Sequence, residues 1–168
     1  MGREEQGVTR DRYMIIPRTL VFITRGKEVL LLKGAPTKRL WAGRYNGIGG
    51  HVERGEGVLE AAKREVREET GLSIGNLRLC GVVMIDTGEP IGIGLYVFRG
   101  EYEGGEVISS PEGTAEWIQR EALSSQPLVP DLSVLLPRVL AHRDGDPVFI
   151  AHYYYDDQDT LQIRFETS

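Results

Sequence analysis

A chain of 168 residues, 40% apolar and 27% charged, is long enough for one domain with a sizeable core and is too apolar for a disordered one. Its 25 acidic and 20 basic residues leave a formal charge of -5, which disfavours a nucleic-acid backbone as partner but not a small polyanion, because a site can import positive charge as a metal ion. Cys80 is the only cysteine, so no intramolecular disulfide can form, and no apolar run nears the roughly 18 residues of a membrane span.

The start, "MGREEQGVTRDR", is polar and has no apolar core, so no signal peptide is expected and a cytoplasmic location is. Residues 1–12 are expected to be flexible, with one domain over 13–168. "TLVFIT" (Thr19–Thr24) and "EVLLLKG" (Glu28–Gly34) are rich in aliphatic and β-branched residues, and the "RGK" between them predicts a hairpin. "APTKRLWAGRYNG" follows without a clear period, and a connection of that length usually serves function. Lys33, Lys38, Arg39 and Arg44 gather around it, placed either for phosphate contact or for solvent. "IGGHV" predicts a short extended piece leading to a helix from about Val58 to Thr70, closed by Gly71 in the left-handed position.

Two strands, "LRLCGVVMI" and "IGIGLYVF", flank the turn "DTGEP", and "AEWI" is a short strand candidate. "PDLSVLLPRVLAH" predicts a second helix with Asp131 as N-cap, which Pro137 must delay or bend. "VFIAHYYY" and "TLQIRF", joined by "DDQD", predict a final hairpin. Strands outnumber helices, so the pattern favours an α+β fold with a mixed sheet and helices packed on its faces.

The first helix carries the informative charges. Glu65, Glu68 and Glu69 stand at i, i+3 and i+4, so all three carboxylates leave one face, beside an apolar stripe of Val58, Leu59, Ala62 and Val66. Like charges at these spacings weaken a free helix. One reading is a solvated surface paired with Lys63, Arg64 and Arg67. Another is a set of oxygen ligands for a hard cation such as magnesium, which is usually held by a few carboxylates together with substrate phosphates.

The run "GHVERGEGVLEAAKREVREETGL" resembles the Nudix box in full, through Gly50, Glu56, Arg64, Glu65, Val66, Glu68, Glu69, Gly71 and Leu72. Nudix proteins hydrolyse nucleoside diphosphates linked to another group, usually with magnesium or manganese. The resemblance implies an α/β/α sandwich and metal binding by Glu65, Glu68, Glu69 and the carbonyl of Gly49. It also implies an Arg64 that orients Glu65 and pairs with Glu56, and backbone roles for Gly50 and Gly71. From about residue 18 to 165, the chain further resembles the MutT-like oxidised-purine nucleoside triphosphatases, in "WAGRYNGIGGHVERGE", "PEGTAEW", "VPDLSVLLP" and "DDQDT".

That likeness implies hydrolysis of a purine nucleoside triphosphate, such as an 8-oxo-dGTP-like nucleotide, to the monophosphate and pyrophosphate. It implies Glu112 near the metal as a base and Asn46 and Asp131 on the purine; of the basic residues around the long loop, Lys33 is the expected substrate contact. Each position also has an ordinary use: Asn46 before Gly47 as a turn, Asp131 as a cap, Glu112 in a solvated loop. Where animal members have a second Asp after the acid matched by Asp131 the chain has Leu132, and where they have a Trp it has Val129. The alternatives are another diphosphate substrate (ADP-ribose, a nucleotide sugar or a dinucleoside polyphosphate) and a non-hydrolytic nucleotide-binding regulatory module. The expected partner is a small nucleotide rather than nucleic acid or membrane, bound by a monomer or homodimer.

Overall fold

The computed structural model describes residues 1–167. β1 (Met14–Arg25) runs on into β2 (Glu28–Gly34), paired antiparallel with Ile23 opposite Leu30. β3 (Tyr45–Asn46) is a two-residue strand against β2, followed by α1 (Val58–Thr70), β4 (Arg78–Ile85) and β5 (Ile91–Glu101). The remaining elements are β6 (Gly113–Gln119), α2 (Leu132–Ala141), β7 (Phe149–Tyr155) and β8 (Leu161–Glu166). β1 extends five residues before the predicted Thr19, because its first half pairs in parallel with β5 from Met14 opposite Ile91 onwards.

The strands form one mixed sheet in the order β3-β2-β1-β5-β4-β7-β8, with β6 on β2. β1–β5 and β4–β7 are parallel, and the other strand pairs are antiparallel. Alternation along β1 shows why its sequence is an unbroken apolar run. Val21 and Ile23 pack with Ala62 and Val66 of α1, while Leu20 and Phe22 pack with Leu132, Leu135, Leu136 and Val139 of α2. A strand covered on both faces has no polar side to show. The result is an α+β sandwich with one helix on each face of the sheet and a separate core under each helix.

α1 is fixed at both ends. Glu60 accepts a hydrogen bond of 2.8 Å from the Gly57 N–H at the start, and Gly71 stands at φ 76° just past the end, donating its N–H to Arg67 O at 2.9 Å. α2 begins at Leu132, with Asp131 at its N-terminal boundary in a helical rather than extended conformation, and the Asp131 side chain makes no capping hydrogen bond. The expected cap is therefore absent, and the carboxyl is left to face elsewhere. Pro137 lies inside this helix, which continues to Ala141. No helix among the described residues is long and apolar enough to cross a membrane.

Candidate active site

One cavity of about 920 Å³ lies along the segment Asn46–Glu53, which is hydrogen-bonded alongside β1 from Val21 back to Pro17. At one pole it meets the acidic face of α1. Glu69 is 5% exposed, and its carboxylate accepts a hydrogen bond of 3.0 Å from the Gly49 N–H. The Glu65 side chain is 13% exposed and that of Glu68 59%, so the three carboxylates form a gradient from core to solvent. The helical spacing predicted one face; the packing of Ala62 and Val66 turns that face so that Glu69 is the most deeply set.

Arg64 ties this pole together. Its Nε and Nη2 bond both oxygens of Glu56 at 3.0 and 2.7 Å, a bidentate pair, and Nη1 reaches Glu65 at 2.8 Å and Glu68 at 3.2 Å. Nη2 also donates to the His51 carbonyl at 3.0 Å, which clamps the loop to the helix. The guanidinium holds Glu56 down to about 2 and is itself driven further towards the charged form by its carboxylate partners. Two glycines make room. A side chain at Gly49 would overlap the Thr19 carbonyl, and a Cβ at Gly50 would come within 2.5 Å of a Glu65 carboxylate oxygen.

Among the carboxylates of the pole, Glu69 is displaced furthest from its ordinary value. Burial pushes it up to about 8, aided by the charges of Glu65 and Glu112 and opposed by the Gly49 N–H and by Lys38. Glu112 enters from the loop before β6, half-exposed, with the Lys38 ammonium 2.6 Å away. Among the described residues, no three His, Cys, Asp or Glu side chains converge into a ready-made metal cage. Instead Arg64 and Gly49 occupy the carboxylates. The donor set nevertheless fits a hard divalent cation: crowded carboxylate oxygens, one of them pushed towards protonation by burial and then by its like-charged neighbours, packed against glycines.

The other pole is apolar, lined by Leu20, Ile85, Ile93 and Leu95, with Asn46 and Asp131 opening into it. The Asn46 side-chain oxygen accepts the Gly47 N–H at 2.8 Å, so the turn and the cavity wall are the same residue. Burial raises the pKa of Asp131, and the nearby Tyr153 hydroxyl feels its charge without a well-formed hydrogen bond to any group. Val129 and Leu132, by contrast, are buried in the core under α2.

Of the residues singled out in the sequence, Gly49, Gly50, Arg64, Glu65, Glu68, Glu69, Glu112, Asn46 and Asp131 meet in this cavity. Lys33 does not line it, and its ammonium lies 5.5 Å from the centroid of the Tyr45 ring. Lys38 and Arg39 do line it, whereas Arg44 donates to the Leu128 carbonyl at 3.1 Å. Glu56 and Gly71 act from outside, through Arg64 and the helix end. Sequence reasoning passed over Arg18, Thr19, Leu40 and Trp41, all of which line the cavity. Arg18 had no signal, because the strand predicted from the sequence begins at Thr19. Leu40 and Trp41 lie in the stretch without period and had none.

A family model described as the NUDIX domain matches residues 14–139. The chain is 33% identical over 144 residues to the oxidized purine nucleoside triphosphate hydrolase of Mus musculus, covering 85% of this chain and 88% of that protein. It is also 34% identical over 132 residues to the NAD-capped RNA hydrolase NudC of Pseudomonas aeruginosa (strain LESB58), covering 77% of this chain but 45% of that relative. Among solved structures, a mutator MutT protein from Bacillus halodurans matches with a TM-score of 0.75 and 26% identity, over 90% of this chain and 97% of its own.

Proposed function

The chain belongs to the Nudix hydrolase family, and from that premise we propose that it cleaves modified purine nucleoside triphosphates to a nucleoside monophosphate and pyrophosphate, clearing damaged nucleotides from the cytoplasmic pool. The observation that carries this reading is the two-pole cavity. Carboxylates for the phosphate end and an apolar wall with Asn46 and Asp131 for the base end share one continuous space. Magnesium or manganese, held by Glu65, Glu68, Glu69 and the Gly49 carbonyl, would neutralise the phosphate charge and make a water molecule more acidic.

The chain's own groups do the remaining work. Arg64 fixes the position of Glu65 and, through His51 and Glu56, the loop that carries Gly49. Glu112, a carboxylate outside the ligand set, approaches the same pole from another loop and is suited to take a proton from water attacking phosphorus. Lys38, held by Glu112, supplies a cation that a phosphate chain can share. Water adds across one phosphorus–oxygen–phosphorus link, so one oxygen and two protons are divided between the monophosphate and pyrophosphate. The leaving pyrophosphate carries its negative charge away from the acidic pole.

At the base end, Asn46 offers both a donor and an acceptor, and Asp131 offers an acceptor or, when protonated, a donor. Groups of this kind discriminate between purine edges far better than an apolar wall does. The likeness to NudC favours a second reading, in which the substrate is a larger nucleoside diphosphate derivative. The deciding experiment compares kcat/KM for 8-oxo-dGTP, dGTP, ADP-ribose and NAD in the presence of magnesium. The proposal expects the oxidised triphosphate to lead by at least about tenfold, and a lead by either of the last two substrates overturns it.

A further inference from the structure

The apolar pole holds a charge that the proposed chemistry does not use. Arg18 sits on β1 two residues before Leu20, on the face that carries Leu20 and Phe22 towards α2, and opposite Leu95 of the parallel strand β5. It lines the cavity, and its Nε is closed off from solvent without a hydrogen-bond partner. Among the described residues, no carboxylate lies within ion-pair distance of it. Arg64, which also lines the cavity, is by contrast engaged by several partners. A shielded guanidinium nitrogen without a partner is costly unless a ligand completes it.

The ligand group must satisfy two polar groups of the cavity wall. Arg18 presents only donors, and Asp131, at the start of α2 on the same face of the sheet, presents an acceptor when ionised. A phosphate would suit Arg18 but not a wall of Leu20, Ile93 and Leu95 that also carries the Asp131 carboxyl. A purine with a 6-keto group suits both: O6 accepts, while N1–H and a 2-amino group donate. A 6-amino purine turns a donor towards the guanidinium and loses that bond.

We propose that Arg18 reads the 6-keto oxygen of the bound purine and so makes the cavity selective for guanine-type over adenine-type nucleotides. This rests on the reading of the cavity as a nucleoside triphosphate site. An 8-oxo substituent leaves O6 in place, so damaged and normal guanine nucleotides share the contact. Arg18 is a specificity-determining residue that touches the base.

The test compares kcat/KM for dGTP, dITP, dATP and 2,6-diaminopurine deoxyribonucleoside triphosphate in the natural protein, Arg18→Met and Arg18→Lys. dITP keeps O6 without the 2-amino group, and the diaminopurine keeps the 2-amino group without O6. The natural protein is expected to favour dGTP and dITP. Arg18→Met is expected to lose about tenfold or more on those two and little on the other two, so that the ratio falls towards one. Arg18→Lys keeps the charge but not the planar fork, and is expected to lie between; it carries the comparison if the Met variant fails to fold, which thermal melting reports. An equal loss on all four substrates, or no loss on any, overturns the proposal while leaving the hydrolase reading intact. Failure of the natural protein to release pyrophosphate from any of the four overturns both.

Discussion

Glu69 shows how a single residue can be costly to the fold and useful to the site. Its carboxyl is almost wholly buried, and its pKa is pushed up to about 8 from an ordinary 4.5. Between those values the unfolded chain sheds a proton that the metal-free fold keeps. The Glu69 contribution to stability is therefore full below the ordinary value and is lost as pH rises towards 8. Glu56 works in the opposite sense and a lower window: held down to about 2, it supports the fold above its ordinary value and fails only in strong acid. In chelator, the thermal midpoint of the natural protein is expected to fall as pH is raised through the Glu69 window, and that of Glu69→Gln to fall less. Magnesium must displace the same proton, so its apparent affinity should rise across this window, measured by titration calorimetry. Identical pH slopes for the two proteins would remove Glu69 from this role.

At the scale of elements, α2 separates two uses of one residue. Asp131 has the position of an N-cap but not its conformation or its hydrogen bond, and its side chain opens into the cavity. Loss of a true cap costs about 0.5–2 kcal/mol. Asp131→Ala is expected to cost well under about 1 kcal/mol in denaturant unfolding, while kcat/KM for purine triphosphates drops by about tenfold or more. A large stability loss with unchanged specificity would return the residue to the helix. The same element marks what the sequence could reveal. The bounds of α1, its glycine closure and its acidic face follow from local spacing and chemistry, and the structure has them at Val58–Thr70. The conformation of Asp131 depends on how α2 packs on the sheet, which no local pattern carries. The first half of β1 was hidden for a related reason, since "MIIPR" extends only because β5 lies alongside it.

Across the whole molecule, the sheet does the positioning. An unbroken apolar strand, β1, presents one side to each helix, and the cavity forms along the glycine-rich segment after β3 that pairs beside it. That arrangement lets an acid-lined end and a base-sized apolar end share about 920 Å³ although their residues come from distant parts of the chain. The acidic end was legible because its members lie within one helix and one loop. The apolar end was legible only in Asn46 and Asp131, through resemblance, because Leu20, Ile93 and Leu95 look like any core residues and Arg18 like a stray surface charge. A chain with net charge -5 can hold a polyanion only if cations gather at the acidic end, so the α1 carboxylates are the point on which activity turns. The most direct measurement is magnesium-dependent pyrophosphate release from a purine nucleoside triphosphate by the natural protein and by the double variant Glu68→Gln with Glu69→Gln. Release by the natural protein and a loss of about a thousandfold or more in the folded variant is the expected result. Near-normal turnover by the variant would contradict it.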